Sequence, residues 1–132
     1  MSALASQIAA HVEFGDVIAL KGSLGAGKSF FAREFINALS DQAQSVLSPT
    51  FNLVYSYDTK KGEVFHFDLY RLKNAAELEN IGFFDALKNG ICLIEWPEIA
   101  QEFLPKNYLQ VEILMGNDEE REIIIATEKT LP

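Results

Sequence analysis

A chain of 132 residues, 48% hydrophobic and 23% charged, has the size and balance of one globular domain with a buried core, not of a disordered segment. Nineteen acidic residues against eleven basic ones give a formal charge of −8, which opposes nonspecific attraction to nucleic acid. No apolar run approaches the ~18 residues of a membrane helix, and the first basic residue is Lys21, so neither a membrane span nor a secretory start is expected.

The single cysteine, Cys92, cannot form an internal disulfide, and with His11 and His66 far apart a conventional zinc cluster is excluded. The cytoplasm is the expected compartment.

Leu4, Ile8 and Val12 recur at helical spacing among alanines, which predicts a helix over Ser2–His11. Gly15-Asp16 breaks it, and Val17-Ile18-Ala19-Leu20 reads as a short buried strand. A glycine-rich turn, Gly22 to Gly27, leads into an amphipathic helix from Ser29 to about Asp41, carried by Phe30, Phe31, Phe35, Ile36 and Leu39. Ser48-Pro49-Thr50 marks an irregular loop.

Two strands, Asn52–Tyr57 and Glu63–Leu69, follow around the turn Asp58 to Gly62. In the second, period two sets His66 and Asp68 on the face opposite Phe65 and Phe67. Lys60-Lys61, the only adjacent basic pair, reads as a solvated turn. Ala75–Asn89 is helical with a break at Gly82, and Ile91–Ile94 is a second buried strand. Pro97 opens a short helix at a position that tolerates its missing N–H. Tyr108–Met115 and Glu122–Ala126 form a closing antiparallel hairpin around Gly116-Asn117-Asp118. The expected fold is a single α/β domain over residues 1–132, with a mixed, largely parallel sheet flanked by helices.

Gly22-Ser23-Leu24-Gly25-Ala26-Gly27-Lys28-Ser29 matches G-x-x-x-x-G-K-[ST], the phosphate-binding P-loop, at every fixed position. Its glycines let successive amides turn inward onto phosphate oxygens, and the helix start that follows favours an anion. Lys28 can bridge the outer phosphates of ATP, and the Ser29 hydroxyl can ligate Mg2+. Gly25, Ala26, Gly27, Lys28 and Ser29 are therefore the expected nucleotide-binding residues.

Hydrolysis needs a second metal contact and a group that orients water. Asp68 and Glu95 each end an apolar strand, where ligands bind in open α/β sheets. The competing reading of either is a solvated or salt-bridged acid. Thr50 lies in a loop that reads equally as a switch over the terminal phosphate or as an ordinary turn. His66 reads as a hydrogen-bonded structural histidine, Trp96 as a packing residue and Cys92 as core.

Leu24-Gly25-Ala26-Gly27-Lys28-Ser29, Ser48-Pro49-Thr50-Phe51, His66-Phe67-Asp68-Leu69-Tyr70-Arg71-Leu72 and Ile94-Glu95-Trp96-Pro97-Glu98 occur in that order along the chain. Together they resemble the bacterial TsaE family, also called YjeE. The resemblance implies an ATPase that supports synthesis of threonylcarbamoyladenosine in tRNA, working with the TsaB–TsaD pair and meeting tRNA indirectly through that complex. It implies that Lys28 and Ser29 hold phosphate and Mg2+, and that Asp68 is the second metal contact. Glu95 would position the attacking water and Thr50 would belong to a switch loop. Ser29 stands where threonine is more frequent in the family, and Ser23 where an acidic residue is common. The segment before the first helix is shorter than the family often has, and no adenine contact is carried over.

Two rivals share the P-loop. A small-molecule kinase needs arginines over the transferring phosphoryl group, and only Arg33, Arg71 and Arg121 are present. A GTPase needs an Asn/Thr-Lys-x-Asp guanine signature, which is absent. A third alternative is a docking module controlled by nucleotide with little hydrolysis.

Overall fold

A strand buried on both faces must lie inside a sheet with helices above and below. In the computed structural model, which describes residues 2–22, 27–49, 52–115 and 121–127, β1 (Val17–Lys21) occupies that position. It lies between β4 (Ile91–Glu95) and β5 (Leu109–Met115), parallel to both. Outward from β4 come β3 (Gly62–Asp68), parallel to it, and β2 (Val54–Thr59), antiparallel to β3. On the other side β6 (Arg121–Thr127) closes an antiparallel hairpin with β5. Among the described residues the sheet thus has six strands in the order β2-β3-β4-β1-β5-β6. The chain forms the expected mixed, largely parallel sheet, and its two antiparallel hairpins lie one at each edge.

Alternation along the strands divides the core in two. Ile18, Leu20, Val64, Ile91, Leu93 and Val111 face α1 (Ser2–His11) and α2 (Lys28–Ala38), which cover them with Ala5, Ile8, Phe31 and Phe35. The opposite face carries Val17, Phe67, Cys92 and Ile94 against Leu78 of α3 (Glu77–Asn80), Phe83 of α4 (Phe83–Asn89), and Ala100 of a 3-10 helix, Pro97–Phe103. Burial pushes the Cys92 thiol up to about 12, in keeping with a core cysteine. Among the described residues no helix is long and apolar enough to cross a membrane.

Several boundaries differ from the sequence reading, each for a local reason. The helix expected to reach Asp41 stops at Ala38, because Ser40 Oγ donates to the Ile36 carbonyl and Asn37 Oδ1 accepts from Gln44 N. The helical span expected over Ala75–Asn89 is two short helices parted at Gly82, and the first starts only at Glu77, whose carboxylate accepts from Lys73 N and Asn74 N. The β2–β3 hairpin runs two residues further than expected, to Thr59, leaving Lys60 and Lys61 as the turn.

That turn is not simply solvated, as its composition suggested. Lys61 Nζ crosses to the end of α1 and donates to the carbonyls of Ala9, Ala10 and Val12 at 3.0, 2.9 and 2.8 Å. It caps carbonyls that the helix cannot satisfy itself, with a positive charge at the negative end of the dipole.

Backbone contact also fixes how β3 meets β4. Gly90, just before β4, lies so close to β3 that a Cβ there would sit 2.3 Å from the Glu63 carbonyl oxygen. Only glycine admits that approach, and the register it permits runs from Val64 opposite Ile91 to Asp68 opposite Glu95.

Candidate active site

Three elements converge where the parallel strands end. Strand β1 runs into the glycine loop, and α2 begins at Lys28 with Gly27 as its cap at φ 110°, a left-handed conformation that glycine adopts without a side-chain clash. Gly25, Ala26 and Thr50 lie outside the described residues. On the face that α2 covers, Asp68 ends β3 and Glu95 ends β4 as register partners. Both carboxylates are buried, as is the Lys28 side chain. The register therefore brings together the two acids that the sequence placed separately at strand ends.

Lys28 is held closely. Its Nζ donates to the Gly22 carbonyl at 2.6 Å, spanning the glycine loop from end to end, and lies 3.6 Å from the centroid of the Trp96 ring. Burial lowers its pKa, and the charges of Glu95, Asp68 and Glu98 act against that shift. Lys28 thus sits in a field of three acids with little water, a setting in which an incoming anion gains strongly from the ammonium. The Ser29 side chain is exposed on the first turn of α2, open to a ligand.

The two acids are oriented by different partners. Asp68 Oδ1 accepts from Tyr70 N at 3.0 Å, a short turn that fixes the carboxylate at the strand end. Glu95 Oε2 lies 2.6 Å from His66 Nε2. His66 was read from sequence as a structural histidine with a hydrogen bond. The sequence could not name its partner, because only the β3–β4 register brings Glu95 to it.

Trp96, read as a packing residue, is half-buried against Tyr70 with ring centroids 4.7 Å apart. Its backbone is left-handed at φ 56°, a conformation that costs a bulky residue about 1–2 kcal/mol. The strained backbone carries its ring over Lys28. Neither that contact nor the field of Glu98 was legible in the motif.

Among the described residues no three His, Cys, Asp or Glu side chains gather into a metal cage. A magnesium ion needs none, since it keeps several waters and takes one or two protein ligands together with phosphate oxygens. An exposed hydroxyl at Ser29 and a fixed carboxylate at Asp68, flanking a P-loop lysine, suit that requirement.

Comparison with known proteins places the chain among relatives. The family profile described as threonylcarbamoyl adenosine biosynthesis protein TsaE matches residues 1–123. The tRNA threonylcarbamoyladenosine biosynthesis protein TsaE of Rickettsia felis is 38% identical over 124 residues, covering 94% of this chain and 72% of that protein. Its Bacillus subtilis counterpart is 38% identical over 122 residues, covering 92% and 75%. The crystal structure of Bacillus subtilis YdiB superposes with a TM-score of 0.73 at 34% identity, over 96% of this chain and 77% of that one. With most of its length matched and its P-loop fold shared, the chain belongs to the TsaE family.

Proposed function

We propose that this chain is the ATP-binding and ATP-hydrolysing subunit of tRNA threonylcarbamoyladenosine synthesis, dependent on Mg2+ and acting with the TsaB–TsaD pair. One observation carries the reading. The P-loop lysine, Lys28, is buried opposite a register-matched pair of carboxylates, Asp68 and Glu95, at the ends of parallel strands. A phosphate-binding cation beside two differently oriented acids is the arrangement phosphoryl transfer to water requires.

In this reading Lys28 and the loop amides from Gly25 to Ser29 bind the phosphates. Ser29 and Asp68 hold the magnesium ion, which, when bound, neutralises charge on the phosphate oxygens. Glu95 orients the attacking water, and Thr50 belongs to a loop that closes over the terminal phosphate. The site's scarcity of arginines leaves charge on the phosphoryl group incompletely met, so hydrolysis is weak alone and rises in the complex. The acidic net charge of −8 fits a subunit that reaches tRNA through its partners and not by its own surface.

The deciding measurement is magnesium-dependent phosphate release from ATP, with this chain alone and with purified TsaB–TsaD. Release that rises with the partners and disappears in Lys28→Ala is the expected outcome. Equal release with and without them would remove partner gating, and near-normal turnover in Lys28→Ala would remove the site.

A further inference from the structure

Among the described residues, one side-chain hydrogen bond holds Glu95. His66 Nε2 meets Glu95 Oε2 at 2.6 Å with both side chains buried. A carboxylate oxygen accepts and does not donate, so the imidazole supplies the hydrogen. In the β3–β4 register His66 stands opposite Leu93, two residues before the Asp68–Glu95 pair and on the same face of the sheet. The ring therefore approaches Glu95 from the middle of the sheet.

The other ring nitrogen, Nδ1, is buried and has no hydrogen-bond partner among the described residues. Buried polar groups retained for stability are as a rule fully satisfied, and an apolar side chain would fill such a place at no polar cost. Among the described residues the ring's polar contact is with Glu95.

We infer that His66 is a positioning residue for ATP hydrolysis: its Nε2–H fixes Oε2 of Glu95, leaving Oε1 to align the attacking water. The inference rests on the reading of Glu95 as the water-orienting group. The terminal torsion of a glutamate is broad, so an unheld carboxylate would sample orientations useless to a water on the phosphate axis. Misplacement of such a group by about 1 Å costs on the order of 100-fold in rate.

The test compares wild type, His66→Leu, His66→Gln, Glu95→Gln and the double variant His66→Leu/Glu95→Gln. Each is assayed for ATP turnover with TsaB–TsaD, for magnesium–ATP affinity and for thermal stability. His66→Leu is expected to lower kcat by about 10- to 100-fold with affinity unchanged. His66→Gln, whose amide can donate from nearly the same point, recovers most of that loss. The double variant is no slower than Glu95→Gln alone, because the histidine acts only through the glutamate.

Full kcat in His66→Leu, or losses that multiply in the double variant, overturn the inference while leaving Glu95 in place. Normal turnover in Glu95→Gln overturns the reading beneath it and the inference with it. Should His66→Leu not fold, His66→Asn, too short to reach Glu95, replaces it, and full kcat in that variant is equally decisive.

Discussion

Asp68 and Glu95 are register partners on neighbouring parallel strands, yet each carboxylate is tied to a different group: Asp68 to the amide of Tyr70, Glu95 to the imidazole of His66. Adjacent strands lie about 4.8 Å apart, so two acids held there on one face repel unless a cation stands between them or their environments differ. Here the two tethers are distinct, and the charges of both acids act on Lys28. Two acids so alike in sequence thus sit in different hydrogen-bonding environments.

That separation is open to direct test. Asp68→Asn should weaken ATP binding chiefly at low magnesium, so that raising the metal concentration restores it. Glu95→Gln should leave magnesium–ATP binding intact and slow turnover by about 100-fold or more, since orienting water is a transition-state task. Nucleotide titrations at several magnesium concentrations, with single-turnover phosphate release, measure both. Collapse of binding in Glu95→Gln would move that residue into the metal site.

Lys28 makes a prediction in the opposite direction for stability. Burial outweighs the neighbouring acids and lowers its pKa, so the charged amine is less favourable in the folded chain than in the unfolded one. At neutral pH Lys28→Met should therefore match or exceed wild type in melting temperature without nucleotide, while losing the stabilisation that ATP confers. The sign follows from proton counting. Below the folded pKa both states hold the proton and the deficit is complete. As pH climbs from there toward 10.5, the folded state has released its proton while the unfolded state still binds one, and wild type gains on the variant. Melting curves across that range check it, and a lower melting temperature for Lys28→Met at neutral pH would refute it.

The lysine in the hairpin turn offers a control far from the phosphates. Lys61 Nζ serves three carbonyls at the end of α1, two of them inside the helix and one just beyond it. Lys61→Met keeps the aliphatic stem and removes the charge. It should cost about 1–2 kcal/mol and lower the melting temperature by about 4–8 °C, leaving turnover at low temperature unchanged. An unaltered melting curve would mean that water replaces the ammonium at no cost.

Contacts near in sequence were the legible ones. The strand, glycine loop and helix around Lys28 follow one another without a gap, and the alternation from Val64 to Asp68 set the aromatic and polar faces of β3 correctly. The break at Gly82 and the closing hairpin were equally plain. What escaped depends on residues brought together by strand register. Nothing local to His66 says that Glu95 lies beside it. Nothing in Lys60-Lys61 says that one lysine faces solvent while the next spans to a helix some fifty residues earlier. Trp96 escaped for a related reason, since its left-handed backbone sends the ring where a regular strand end would not. The Thr50 loop, by contrast, belongs to the motif and lies outside the described residues.

The reach of Lys61 has a bearing on how the chain is made. A ribosome adding about 5–20 residues each second delivers residue 61 several seconds after Ser2–His11 has left the tunnel. Until then the carbonyls at the end of that first helix have only water to bind, and its apolar face has no β3 or β4 to cover. A ten-residue helix is marginal alone. The end of that helix is thus capped only once the β2–β3 turn, some fifty residues later, exists to receive it.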